Sequence, residues 1–443
     1  MPELNVFSAC FFAVFILQYL SSVWIEKLNL AHLNRVGDTV PPGLRGLVDS
    51  EKLKRMNAYT VDRSRLFLVE KSVADAVLAA LLLTGFLPWF GNYASSADFS
   101  ETVAGFLFFL LVGAIFSVLG IPLGWYRTFV VEERYGFNRY DTRTWLLDLA
   151  KSAALSIALL AVVLIPVLWM IRAYPATWWL LAFLFVSLCE FALMVLYPVL
   201  IAPIFNTFRP LVDRELADKV EELVERAGMK SRSIVEMDAG RRSTHSNAYV
   251  AGLGKGKRIV LFDTFVERHS HDEILAVLAH EIGHSRLNHI MKSFAWTFIG
   301  TLAGFYLMYR LMNEPWVYET FGLSRSQPYL ALFVVGVGLR KLGYFFKPIA
   351  AAVSRMFERQ ADAFSAAFQG SGEDLASALK KMAAHNLSNL NPHPAYVWFH
   401  YSHPPLPERI ASLKDGGQVL FFDLHPADRR SRLGRWKRSS NSA

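Results

Sequence analysis

Hydrophobic positions along this chain gather into long runs separated by polar connections. Crossing about 30 Å of hydrocarbon takes about 20 helical residues, and stretches of roughly that length occur seven times: Val6–Trp24, Ala74–Phe90, Val103–Gly124, Ala153–Ile171, Trp178–Ile201, Phe294–Leu311 and Tyr329–Phe345. A buried core helix is the competing reading for two of them. Ala74–Phe90 is short and closes on Pro88, and Tyr329–Phe345 carries Arg340 and Lys341. Two long polar regions interrupt the pattern, 205–292 and 346–443. In the first, Glu215–Ala227 has helical periodicity, and Asn247–Leu253 and Arg258–Phe262 read as a strand pair joined by Gly254-Lys255-Gly256-Lys257. Ser270 and Glu273 then form a capping box ahead of an apolar periodic helix expected to run to about His289. In the second polar region Met356–Phe368 is rich in Ala and free of Gly and Pro, a strong helical pattern.

Composition agrees with a membrane protein. Of 443 residues, 53% are hydrophobic and only 19% charged, and the mean hydropathy is +0.27. The net charge of +8 resides in the connections and the tail, where Lys and Arg face anionic headgroups, so no nucleic-acid partner is expected; the Arg429–Arg438 cluster reads as a tail solvated near lipid. The basic residues also orient the chain. The first connection holds Lys27, Arg35, Arg45, Lys52, Lys54, Arg55, Arg63, Arg65 and Lys71, whereas Tyr93–Glu101 has no basic residue. Arg127, Arg134, Arg139 and Arg143 follow in the third, against Arg172 alone in the fourth. Because Lys and Arg stay on the cytoplasmic side, this alternation puts the N-terminus outside or in a lumen. Both polar regions then meet in the cytoplasm. Cys10 and Cys189 lie in apolar runs, which excludes a disulfide framework or a Cys-rich metal site. Met1–Asn5 lacks a basic n-region and no small-residue cleavage pattern follows, so the first run is expected to be an uncleaved span.

Chemistry enters at His280-Glu281-Ile282-Gly283-His284. Spacing of four brings two imidazoles onto one helix face, about a turn apart, where both can reach a single Zn²⁺. Glu281 beside them can take a proton from a water attacking a carbonyl. A catalytic zinc needs a third protein ligand and an open position. His289, five residues past His284 and about 140° around an uninterrupted helix, is expected to point away. A carboxylate from elsewhere must then serve, and Glu358 is the best placed, with Asp362 one turn later on the same face to orient a histidine. The competing reading of Glu358 is a solvated carboxylate paired with Arg355 or Arg359. Gly283 costs a helix about 1 kcal/mol relative to Ala, which points to close packing at that position.

These residues, with Phe357-Glu358-Arg359-Gln360-Ala361-Asp362-Ala363-Phe364, His245-Ser246-Asn247-Ala248-Tyr249 and Tyr401-Ser402-His403-Pro404-Pro405, resemble the type I CAAX prenyl endopeptidases. Ala58–Arg65 and Glu132–Asn138 extend the similarity, which runs from the first connection to Arg409. The resemblance implies a mainly α protein: a seven-helix transmembrane barrel enclosing a water-filled chamber, capped on the cytoplasmic side by an α+β zinc metalloprotease domain. It implies Glu358 as third ligand to one Zn²⁺, Asp362 supporting the site, and Asn247, His403 and Arg409 lining the substrate cleft. An exposed strand at Asn247 can accept an extended peptide, and His403 and Arg409 can donate to a developing oxyanion; His403 by itself also reads as a structural contact before a Pro-Pro turn. The implied substrate is a prenylated C-terminal peptide, in contact with membrane lipids. Two other functions remain open at this stage, a membrane-protein quality-control protease and a scaffold or transporter with structural zinc. The membrane is that of a bacterial inner membrane or the endoplasmic reticulum. The expected segmentation is 1–204 for five membrane helices, 205–292 and 346–443 for the two parts of the zinc domain, and 293–345 for two further membrane helices.

Overall fold

The computed structural model describes residues 2–252 and 256–414; the Arg429–Arg438 cluster and part of the Gly254–Lys257 turn lie outside the described residues. The N-terminal half is a set of long helices: α1 Val6–Val36, α2 Ser50–Leu83, α3 Phe86–Ser96, α4 Glu101–Tyr126, α5 Thr142–Ala173 and α6 Trp178–Leu196, the last continuing through a π turn into α7 Ala202–Phe205. Their starts follow the sequence closely. Asn5, Asp49, Ser100 and Asp141 each place a side-chain oxygen on a backbone N–H of the first turn. Large apolar side chains such as Ile16, Leu20, Val118, Val162 and Leu188 stay exposed along these helices. In water that surface would be costly; around a membrane-spanning helix, lipid covers it.

Among the described residues, five helical stretches are long and apolar enough to cross a membrane: Val6–Val36, Glu101–Glu132, Thr142–Ala173, Trp178–Phe205 and Pro328–Gln369. Two of the seven predicted runs are not among them. The run Ala74–Phe90 is not one helix, because Gly85 adopts φ +80° and breaks it between α2 and α3. Phe294–Leu311 does form a helix, but its hydropathy is diluted by Thr297, Thr301, Tyr306, Tyr309 and Arg310.

The polar regions fold together. The sheet comprises β1 Phe208–Pro210, β2 Lys230–Met237, β3 Ala248–Ala251 and β4 Gly256–Phe262, in the order β1-β2-β4-β3, with β2 and β4 parallel and β3 antiparallel to β4. Between β1 and β2 lies α8 Arg214–Arg226; after β4 come α9 Asp263–Val266 and α10 His271–Arg286. Next come α11 His289–Met312, α12 Pro315–Phe321 and α13 Pro328–Gly343, and the described residues close with α14 Lys347–Gln369, α15 Glu373–His385, α16 Pro394–His400 and α17 Leu406–Lys414. The predicted strand pair and the helices at Glu215 and Met356 are all present. A core of Leu216, Val220, Ile259, Leu261, Phe265, Ile274, Leu278 and Ile282 seals α8 and α10 against the sheet and reaches Ala366 and Phe368 of α14. A second core, with Phe108, Trp178, Ala182, Tyr329 and Val334, holds the long helices together. As expected, the two polar regions are neighbours: Ser365 donates to the Ala276 carbonyl at 2.7 Å, joining α14 to α10.

Candidate metal centre and active site

Residue Ser270 starts α10 by accepting from the Glu273 backbone, while the Glu273 carboxylate accepts from the Ser270 N–H at 3.0 Å. Ser377 and Lys381 of α15 also donate to Glu273, at 2.6 and 2.8 Å, so the start of the helix is tied to the protein's C-terminal helices. Two turns on, His280 and His284 share a face. Gly283 lets α14 come close: a Cβ there would lie 3.1 Å from the Phe364 ring. That approach brings Glu358 opposite the two imidazoles. Neither Arg355 nor Arg359 pairs with it, since Arg355 donates to the carbonyls of Val397 and Tyr401 and Arg359 to Glu408.

His280 Nε2 lies 3.2 Å from His284 Nε2, 3.4 Å from Glu358 Oε2, and His284 Nε2 lies 3.3 Å from Glu358 Oε1. Donor atoms about 2.0–2.1 Å from a tetrahedral zinc stand about 3.3–3.4 Å from one another, so this triangle has the dimensions of a metal site. Chemistry points the same way. His280 Nδ1 is 2.8 Å from Asp362 Oδ1, which directs that ring's lone pair inward. Glu358 Oε2 is buried without a hydrogen-bond donor. Such an arrangement is costly unless a cation occupies the centre. The site's field also favours positive charge. Burial disfavours a charged His280, yet the nearby carboxylates of Asp362 and Glu358 outweigh it and raise its pKa to about 9. Burial pushes the Glu281 carboxyl up, against the opposing pull of His280 and His284.

A cavity of about 740 Å³ opens on this cluster, bounded by Glu281, His284, Glu358, His403, Val250 and Phe294. His403 is 58% exposed, with Nε2 3.3 Å from Glu358 Oε1 and Nδ1 2.8 Å from Ser402 Oγ. Arg409 grips Asp362 with two hydrogen bonds of 2.8 and 2.6 Å, and its Nη2 is 3.9 Å from Glu358 Oε2. Asn247 is exposed immediately before β3, an edge strand of the sheet; Val250 of β3, three residues on, borders the cavity, as does Lys257 of β4.

One expectation is overturned. His289 does not point away: its Nδ1 is 3.0 Å from His284 Nδ1. The helix ends at Arg286 rather than at His289, and Asn288 adopts φ +56°. The helix is interrupted there, so rotation along a continuous helix no longer predicts where His289 goes. An Asn, tolerant of the left-handed conformation, is the stop signal that the sequence offered. Gln360, 2.9 Å from His289 Nε2, was also missed.

Comparison with known proteins settles the family. Residues 29–207 match the family described as CAAX prenyl protease N-terminal, five membrane helices, and residues 210–416 match Peptidase family M48. The chain belongs to peptidase family M48. It is 34% identical over 409 residues to the CAAX prenyl protease 1 homolog of Arabidopsis thaliana, covering 90% of this chain and 95% of that protein. It is 38% identical over 332 residues to CAAX prenyl protease 1 of Saccharomyces cerevisiae, covering 71% and 73%. Among solved structures, the crystal structure of S. mikatae Ste24p superposes with a TM-score of 0.86 at 30% identity, covering 94% of this chain and all of that one. This M48 chain is therefore a mainly helical, integral membrane metalloprotease.

Proposed function

We propose that this M48 protein is a zinc endopeptidase that removes the C-terminal tripeptide from prenylated CAAX proteins or peptides. The observation that carries the chemistry is the triangle of His280, His284 and Glu358 with edges of 3.2–3.4 Å, beside a raised-pKa Glu281. The names of the relatives carry the substrate class. One Zn²⁺ per chain, held by those three side chains, would polarise the scissile carbonyl and lower the pKa of a water. Each remaining step falls to residues of the chain. Glu281 takes the proton of the attacking water and passes it to the leaving amine. Asp362 holds His280, and Arg409 holds Asp362. His403, at the open rim, donates to the oxyanion, joined by whichever Arg409 N–H groups Asp362 leaves free. The free edge of β3, from Asn247, pairs with the extended peptide as an added strand.

The same reading extends to the architecture. We take the membrane part as seven helices around a chamber, the sixth being α11, whose Trp296, Ile299 and Leu307 are exposed as a lipid-facing surface requires. A cavity of about 1270 Å³ lies between α1, α2, α4 and α13 on one side and residues such as Arg242, His245, Asn386 and Tyr401 of the polar regions on the other. The segments 1–204, 205–292, 293–345 and 346–443 divide the chain as the sequence proposed, with the zinc domain on the cytoplasmic side of a bacterial inner membrane or the endoplasmic reticulum. The α+β zinc domain is of the two-histidine, one-glutamate kind, its substrates lipidated and its surroundings membrane lipid.

Digestion of a farnesylated CAAX peptide by wild type, Glu281→Gln and a chelator-stripped sample tests the proposal. Cleavage by the zinc-loaded wild type alone is expected. Equal cleavage by all three removes the mechanism. A wild type that cleaves unprenylated membrane proteins but not the lipidated peptide is instead a quality-control protease.

A further inference from the structure

His289 has no part in the chemistry described above, yet only 2% of it is exposed and its ring is packed face to face on Phe357, centroids 4.3 Å apart. Its two nitrogens have one neighbour each. Nδ1 is 3.0 Å from His284 Nδ1 and Nε2 is 2.9 Å from Gln360 Oε1. A neutral imidazole has one N–H and one lone pair, which fixes the direction of this chain of contacts once the inner end is known. His284 Nε2 faces His280 Nε2 and Glu358 Oε1 across the metal triangle, so its lone pair must point inward and its hydrogen must sit on Nδ1. That hydrogen needs an acceptor, and the atom opposite is His289 Nδ1. His289 must therefore carry its own hydrogen on Nε2, where an amide oxygen accepts it. The opposite arrangement sets two N–H groups against each other at 3.0 Å, or moves the His284 hydrogen to Nε2 and removes a metal ligand.

We infer that His289 and Gln360 are positioning residues that together fix the tautomer and orientation of His284, as Asp362 does for His280. The inference rests on the zinc reading above. It assigns the two imidazoles different supports: a carboxylate already bound by Arg409 for one, and an uncharged relay for the other. The uncharged relay orients its ligand without adding a negative charge to a centre that already gathers Glu281, Glu358 and Asp362. Outer partners of this kind are worth on the order of 10–100-fold in metal affinity.

The test uses the detergent-solubilised full chain. Zinc affinity is measured by competition with a chromophoric chelator, the Co²⁺-substituted protein gives a visible spectrum, and thermal unfolding of the zinc-free form monitors the fold. His289→Phe keeps the ring stacked on Phe357 and deletes the acceptor. Gln360→Leu leaves His289 in place and deletes the end of the relay. Gln360→Glu restores an acceptor. Both deletions are expected to weaken zinc binding on the order of 10–100-fold and to alter the Co²⁺ spectrum, Gln360→Glu to retain wild-type affinity, and zinc-free Gln360→Leu to unfold where wild type does. Should His289→Phe fail to fold, the two Gln360 variants still decide. Wild-type zinc affinity and spectrum in folded Gln360→Leu overturn the inference. A wild type that binds no equivalent of zinc removes the metal reading, and the relay with it.

Discussion

Glu281 and Gly283 show how two side chains of different size serve one helix turn. Glu281 borders the cavity together with His284, Glu358 and His403, and its half-buried carboxyl is a stronger base than a fully exposed glutamate. Glu281→Gln is expected to lower kcat/KM by on the order of 10²–10⁴ or more while leaving one zinc bound, a combination read from peptide cleavage and metal analysis of the same sample. Asp362→Asn should act differently. It loosens both His280 and Arg409, so zinc affinity should fall on the order of 10–100-fold, measurable by chelator competition. At this scale the sequence was informative wherever one continuous helix carries the argument. H-E-x-x-H and the Glu358/Asp362 pair are each set by a single helical period, and Gly283 marked the close approach of Phe364. His289 escapes the helical period because its position depends on one backbone dihedral, at Asn288, where that period ends.

Helix α10 is anchored at its first turn as well as at the face that carries His280 and His284. The Glu273 carboxylate, 4% exposed, closes the Ser270 capping box and takes hydrogen bonds from Ser377 and Lys381. Burial raises its pKa, and the bonds from Lys381, Ser377 and the Ser270 backbone outweigh that and hold it below the ordinary value. The group therefore contributes stability that is fully present above the unfolded-state pKa of about 4.3, and loses it as pH falls through the lower folded value. Glu273→Gln should cost about 1–2 kcal/mol, with the exposed end at Lys381 adding little. Thermal unfolding of the solubilised protein should show a lower midpoint at pH 7, with the gap to wild type closing in acid. The box itself was readable, because S-x-x-E before an apolar run is a local signal. The split between α2 and α3 was not: an apolar run looks the same whether or not Gly85 takes a left-handed conformation within it. Edge strand β3 makes a further prediction. A substrate N-methylated at an amide that pairs with β3 should lose kcat/KM mainly through KM, since the methyl removes a ladder hydrogen bond and leaves the chemistry intact. Unchanged KM at every methylated position would remove strand addition.

Across the whole molecule, the sides of the membrane remain our proposal from the distribution of Lys and Arg, and the two polar regions pack on one another, as a common face requires. With Cys10 and Cys189 replaced, Asp218→Cys in α8 and Glu51→Cys in the basic first connection should react with an impermeant thiol reagent from the same side, and Asp98→Cys from the other. Labelling of all three from one side would contradict the topology. Spans are less legible than the site, because hydropathy averages separate a membrane span from a core helix poorly where Thr and Tyr are frequent, as in α11. The fold around the metal was more legible, since both helices that carry it have strong local signals and the site's charge, three carboxylates against Arg409, calls for a cation. Anomalous X-ray diffraction at the zinc edge, on crystals of the purified protein, addresses that centre directly. A single peak about 2.0–2.2 Å from His280 Nε2, His284 Nε2 and a Glu358 oxygen is predicted. No peak there, or a zinc bound elsewhere in the chain, would contradict the account.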